Sequence, residues 1–240
     1  MKIPMIIHYC WFGGKPLPYH AIKCIDSWKK YCPDFEFICW DESKIDQFDN
    51  QFLSQAIEAR KWAFAADYVR LMALYNFGGI YLDTDVEFIR QPFEFMDNDV
   101  FLGFECQDRI ATAVIGSIQG HSFIKKLAEE YSERSLLLTD GSIDYTPNVV
   151  YFTQELINRG LKTDNTLQNI GGIAIYPSEF FSPKSLDTGK IHATDNTCAI
   201  HHFNASWLPI KKRINMRIAQ IIGPELTKFI KKAARRSSHE

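Results

Sequence analysis

The stretch Leu74-Tyr75-Asn76-Phe77-Gly78-Gly79-Ile80-Tyr81-Leu82-Asp83-Thr84-Asp85 constrains this chain more than any other. A helix-forming run halts at paired glycines, an apolar segment of strand length follows at once, and two carboxylates close it. Glycine just past a helix accepts left-handed backbone that other residues resist, and a short continuous apolar run suits a strand buried on both faces. In open α/β sheets, chemistry gathers at the carboxyl ends of strands. Asp83 and Asp85 stand at such an end.

The rest of the chain repeats this alternation. Ile3 to Phe12 is nearly all apolar and runs into Gly13-Gly14, which predicts a buried strand and a glycine turn; Phe35 to Trp40 predicts a short aromatic strand. From Ser54 to Phe77 the Ala, Leu, Arg and Glu content predicts one long helix, with Ser54 as N-cap and a core stripe of Trp62, Ala66, Val69 and Ala73. Further strands are expected over Val100 to Phe104, Ala111 to Ile118, Ile170 to Tyr176 and Cys198 to Phe203. Helices are expected over Phe123 to Ser135 and over 147 to 159, where Thr146 caps and Pro147 opens the first turn. The fold class is α/β, with a largely parallel or mixed sheet flanked by helices.

Composition narrows the class without naming a function. The 240 residues are 46% hydrophobic and 14% aromatic, enough to fill a core, so disorder and stapled mini-protein architectures are excluded. The six cysteines include no CxxC pair, so zinc-ligand spacing is absent. Met1 to His8 lacks the apolar stretch and cleavage site of a signal peptide, and a cytoplasmic location is expected. No apolar run reaches the length of a membrane span. Residues 211–236 hold nine Lys and Arg against one Glu, which leaves the remainder acidic and no nucleic-acid partner expected.

Two carboxylates at the end of an apolar strand are costly to leave unpaired. A hard divalent cation that also bridges phosphate oxygens satisfies them; a solvated turn or an N-cap does so without chemistry. Asp67 and Arg70, three apart on the preceding helix, share a face, as an intrahelical ion pair or as a polar clamp on a sugar or ribose. Ile200-His201-His202 with Ser206-Trp207 sets a strand-end histidine beside a Ser-Trp pair, and His202 is read as structural.

Taken together, Ile6 to Gly14, Ala66 to Arg70 with Leu74 to Asp85, Ile175 to Pro183, and Ile200 to His202 with Ser206-Trp207 resemble the DXD sugar-transferase family, glycosyltransferase family 32. The core is also similar to the glucosylating domain of large clostridial toxins. The resemblance spans about residues 3 to 208. It implies a GT-A type, Rossmann-like catalytic domain over 1–209, and a retaining transfer of a hexose from a nucleotide sugar, UDP-linked by preference. The acceptor would be a saccharide or lipid-linked oligosaccharide in surface polysaccharide synthesis.

By the same resemblance Trp11 stacks on the nucleobase, Asp67 and Arg70 hold sugar and ribose hydroxyls, and Tyr81 lies by the pocket. Asp83 touches ribose and sugar, Asp85 and His201 bind the metal, Mn²⁺ or Mg²⁺, and Ser206 and Trp207 close over the diphosphate. Asp83, Asp85 and Arg70 form the catalytic set. Two other classes fit less well. A phosphohydrolase of the haloacid-dehalogenase type wants Thr or Val where Glu87 stands, and a non-catalytic nucleotide-sugar-binding module would not need every polar position filled. Beyond the domain, 210–240 reads as a basic amphipathic helical tail: Ile210, Ile214, Ile218 and Ile221 share a stripe that either packs on the domain or lies on an anionic membrane surface.

Overall fold

The computed structural model describes residues 1–204. The expected tail at 210–240, the domain boundary at 209, and Ser206 and Trp207 lie outside the described residues.

A seven-stranded mixed sheet forms the centre. In chain order the elements are β1 (Ile6–Cys10), α1 (Tyr19–Tyr31), β2 (Glu36–Trp40), α2 (Gln51–Glu58), α3 (Trp62–Phe77), β3 (Gly79–Leu82), β4 (Val86–Phe88), β5 (Val100–Cys106), β6 (Arg109–Ser117), α4 (Ser122–Glu130), α5 (Asn148–Asn158), β7 (Gln168–Ile170), β8 (Ile173–Tyr176), α6 (Ser178–Phe181) and β9 (Ala199–His201). The strand order is β2-β1-β3-β6-β5-β8-β7, and β4 pairs with β9 in a separate antiparallel ribbon. β1 is parallel to β2 and β3, while β6 runs antiparallel to both β3 and β5. The carboxyl ends of β1, β3 and β5 therefore share one edge. A mixed sheet flanked by helices is the architecture the alternation predicts.

Each face of the sheet carries its own apolar layer. One is built with Phe52, Leu53 and Ala56 of α2, Val69, Ala73 and Leu74 of α3, Leu127 of α4 and Phe152 of α5. The other holds Cys24, Ile25 and Trp28 of α1, Val86 and Phe88 of β4, Phe181 of α6 and Ala199 of β9. β3 is buried along its whole length, as its unbroken apolar sequence requires.

Gly78 and Gly79 are needed where they stand. Both have positive φ, 66° and 102°, and a Cβ on Gly79 would come within 2.6 Å of the Ile6 carbonyl oxygen. Only glycine lets α3 turn into β3 while β3 lies this close to β1. His8, fully buried on β1, locks the same junction: Nε2 pairs with the Gly78 carbonyl at 2.8 Å, and Trp40 Nε1 donates to Nδ1 at 3.2 Å.

The single long helix expected from Ser54 is two. Asn50, not Ser54, caps α2, its side chain accepting from the Leu53 amide at 3.0 Å. The chain then breaks at Arg60, whose φ is 53°. The Lys61 amide bonds the Ala56 carbonyl and the Arg60 amide bonds that of Ile57, the pair of reversed bonds that closes a helix in a Schellman turn. Arginine occupies the left-handed position usually given to glycine, at a cost of about 1–2 kcal/mol, so no glycine marks the break.

Smaller differences follow the same logic. Pro147 rather than Thr146 occupies the N-cap of α5. The segment Ile170 to Tyr176 is not one strand; β7 and β8 form a hairpin that turns at Gly171-Gly172. α1 and β4 carry no strong sequence signal, and the structure adds both.

Candidate active site

The strand edge shared by β1, β3 and β5 brings together Asp67, Arg70, Tyr81, Asp83, Asp85 and His201. α3 ends at the opposite edge, so its middle turns bring Asp67 and Arg70 up beside β3. Arg70 is buried and multiply held: Nη2 lies 2.9 Å from Asp67 Oδ1 and 3.3 Å from Asp83 Oδ1, and Nη1 donates to the Thr112 carbonyl on β6 at 2.7 Å. Its guanidinium also sits 4.6 Å from the centre of the Tyr81 ring. Tyr81 is buried, and its hydroxyl donates to Asp83 Oδ1 at 3.0 Å. Tyr81 thus orients a carboxylate.

Asp85 faces the other way, toward the ribbon. The β4–β9 pairing sets Val86 opposite His201, which brings the imidazole Nε2 to 3.3 Å from Asp85 Oδ1. The Asn204 amide donates to Asp85 Oδ2 at 2.7 Å, and the His202 amide donates to its backbone carbonyl at 2.9 Å. One ligand atom from each of Asp83, Asp85 and His201 falls within a 4.8 Å group. His201 Nδ1 is buried with no hydrogen-bond partner among the described residues. Two carboxylates and an imidazole make a donor set that suits a divalent cation.

The electrostatics mark the same cluster. Burial works to raise the Asp85 carboxyl, but His201 and the Asn204 amide hold it down at about 2. Burial opposes the charge on His201, yet Asp85, Asp83 and Glu105 raise its pKa. A bound dication would reverse that pull, since a ligating imidazole is neutral. Asp67 is pushed above the usual carboxylate range by burial, against the pull of Arg70. Burial also disfavours charge on Arg70, but Asp83, Tyr81 and Asp67 keep it protonated.

Trp11 follows β1 at the same edge. It is partly exposed, and its indole N–H donates to the Lys15 carbonyl at 2.5 Å. Trp62, assigned to a core stripe by periodicity, is only partly buried, and its indole lies against Gly13: a Cβ there would meet Trp62 Nε1 at 2.9 Å. The His202 imidazole pairs with Glu87 instead, its Nε2 2.8 Å from Glu87 Oε2.

Three residues near the cluster had no signal in the sequence. Thr112 supplies the carbonyl that holds Arg70, and its hydroxyl donates to Asn148 Oδ1 at 3.0 Å. Asn148, at the first turn of α5, keeps a buried Nδ2 without a partner among the described residues. Glu105 ends β5 close enough to feel His201 and Asp83. None belongs to a short motif: the pairing of β5 with β6 and of β6 with β3 brings Glu105 and Thr112 here, and α5 packed on β6 brings Asn148.

This α/β chain thus carries paired carboxylates and a histidine on the carboxyl edge of its sheet, backed by a buried Asp–Arg pair, as a candidate metal site. Residues 18–102 match the model of the glycosyltransferase sugar-binding region containing DXD motif, so the resemblance read from the sequence holds and the region is that of a transferase. Inositol phosphoceramide mannosyltransferase 3 of Schizosaccharomyces pombe is 29% identical over 126 residues, which cover 51% of this chain and 35% of that protein. The chain thus spans about a third of that relative. An uncharacterized glycosyltransferase of Acanthamoeba polyphaga mimivirus is 26% identical over 220 residues, covering 86% of this chain and 84% of that protein. Among solved structures, PaToxG glycosyltransferase aligns with a TM-score of 0.49 at 20% identity over 65% of this chain and 69% of that one.

Proposed function

We propose that this chain is a retaining, metal-dependent hexosyltransferase that moves a hexose from a nucleoside diphosphate sugar to a saccharide or lipid-linked acceptor, releasing the nucleoside diphosphate. The observation that carries the reading is the joint placement of Asp83, Asp85 and His201 within one 4.8 Å group, beside the buried Asp67–Arg70 pair. The mannosyltransferase relative supports a hexose as the transferred group.

Each residue has a task that its surroundings allow. Asp85 and His201, with Asp83 beside them, would hold the cation, Mn²⁺ first; a bound dication offsets negative charge building on the departing diphosphate. Arg70, kept charged by two aspartates, adds fixed positive potential close to where that charge develops and needs no reorganisation to do so. Asp67 is the hydrogen-bond acceptor for sugar hydroxyls. Tyr81 fixes Asp83, and Trp11 offers an aromatic face to the base at the end of β1. No carboxylate is singled out as a covalent nucleophile, which favours attack from the face of departure and retention at the anomeric carbon.

Nucleotide sugars scored for cleavage with and without Mn²⁺ test the proposal. UDP-hexoses and GDP-mannose are the first donors to try. One donor should be cleaved at a rate that falls at least tenfold with chelator and returns with Mn²⁺. Absence of cleavage across the whole panel at millimolar Mn²⁺ overturns the reading.

A further inference from the structure

Glu105 is an acidic residue at this edge that neither the sequence motifs nor the proposed roles use. It ends β5, where the register to β6 shifts between Leu102 and Phe104 and again between Phe104 and Cys106. Bulges of this kind re-aim side chains at the ends of strands. Gly103 packs against Phe181 on one face of the sheet, whereas Phe104 belongs to the layer under α3 on the other. At the bulge simple alternation does not apply, but the charges that act on Glu105 are those of His201, Arg109 and Asp83, with neither Asp67 nor Arg70 among them, which puts it on the His201 side of the site.

The side chain is partly buried and has neither a hydrogen bond nor an ion-pair contact among the described residues. The cations it feels are His201 and Arg109, and burial pushes its carboxyl up. A carboxylate sheltered from water without a donor is costly, and a hydroxyl brought by a ligand would supply one. The ligand group is not the diphosphate, since an unpartnered carboxylate at Glu105 repels an anion. A neutral, hydroxylated group fits.

We infer that Glu105 binds a hydroxyl of the acceptor saccharide, on the side of the reaction centre opposite the Asp67–Arg70 pair. The inference rests on the transferase reading and adds the acceptor subsite to it. With the donor sugar drawn toward α3 by Asp67 and Arg70, the space between the metal ligands and Glu105 is where an incoming hydroxyl enters. Glu105 acts there as a hydrogen-bond acceptor that orients the hydroxyl; it forms no covalent bond.

The test compares wild type with Glu105→Gln and Glu105→Ala at matched folding, checked by thermal unfolding. Two rates are measured with the donor found above and Mn²⁺: hydrolysis, with water as acceptor, and transfer to a set of octyl hexosides. Glu105→Ala should lower transfer at least 30-fold through a raised acceptor KM while hydrolysis changes less than threefold, and Glu105→Gln, which keeps one carbonyl acceptor, should lie between. UDP affinity with Mn²⁺, by calorimetry, should stay within twofold. Equal losses in transfer and hydrolysis would place Glu105 on the donor or the metal and overturn the inference, as would transfer left intact. A wild-type chain that cleaves no donor overturns the transferase reading itself, and the inference with it; cleavage by wild type isolates the question to Glu105.

Discussion

Arg70 Nη2 stands 2.9 Å from Asp67 Oδ1 with both side chains largely buried, and the same nitrogen reaches Asp83 at 3.3 Å. One guanidinium thus ties the helix before β3 to the turn after it, and its two carboxylates have little water to fall back on.

Arg70→Met should therefore be destabilising beyond the loss of one contact. Removing one partner of a buried pair leaves an uncompensated charge, at about 3–5 kcal/mol. Urea unfolding should show a loss of that order, and adding Asp67→Asn should recover part of it. Additive losses in the double variant would mean that the pair is not coupled.

His8 makes the fold acid-sensitive. Burial drops its pKa from 6.5 to about 4, against the pull of the Gly78 carbonyl. The unfolded chain takes up a proton at His8 below pH 6.5 that the folded chain refuses until about pH 4. Its contribution to stability is therefore complete above pH 6.5 and is lost as pH falls through that window, at up to about 1.4 kcal/mol per pH unit. His8→Phe should be less stable at pH 7, since it strands the Gly78 carbonyl and the Trp40 N–H, yet its stability should fall less steeply between pH 6.5 and 4. Denaturant titrations of both proteins across that range check this; parallel curves would remove His8 as the source.

Trp11→Ala should raise the donor KM far more than it lowers kcat, because stacking on a base distant from the broken bond binds ground and transition states alike. Base stacking is worth about 1–3 kcal/mol, or roughly ten- to hundredfold in affinity. Steady-state kinetics with the donor varied make the comparison, and an unchanged KM would reduce Trp11 to its contact with Lys15.

What the sequence conveyed was local. The α3–β3 junction was legible because Gly78 and Gly79 are required by positive φ and close approach, and Asp83 and Asp85 because an apolar strand points to them. The break at Arg60 was not, since a left-handed arginine leaves no mark that distinguishes it from a helical one. Trp62 fits the helical period yet lies against Gly13, because tertiary contact, not spacing, decides which side of a helix end is covered. Glu105 and Thr112 reach the site through the β5–β6 and β6–β3 pairings and Asn148 through the packing of α5 on β6, none of which periodicity encodes.

The central claim is that Asp85 and His201 hold a divalent cation for a nucleotide diphosphate. Anomalous diffraction at the manganese edge, from crystals soaked in Mn²⁺ and UDP, tests it most directly. A peak about 2.0–2.3 Å from an Asp85 oxygen and a His201 nitrogen, absent from Asp85→Asn crystals treated alike, is the predicted result. No peak in wild type at saturating Mn²⁺ and UDP, or a peak that persists unchanged in Asp85→Asn, would contradict it.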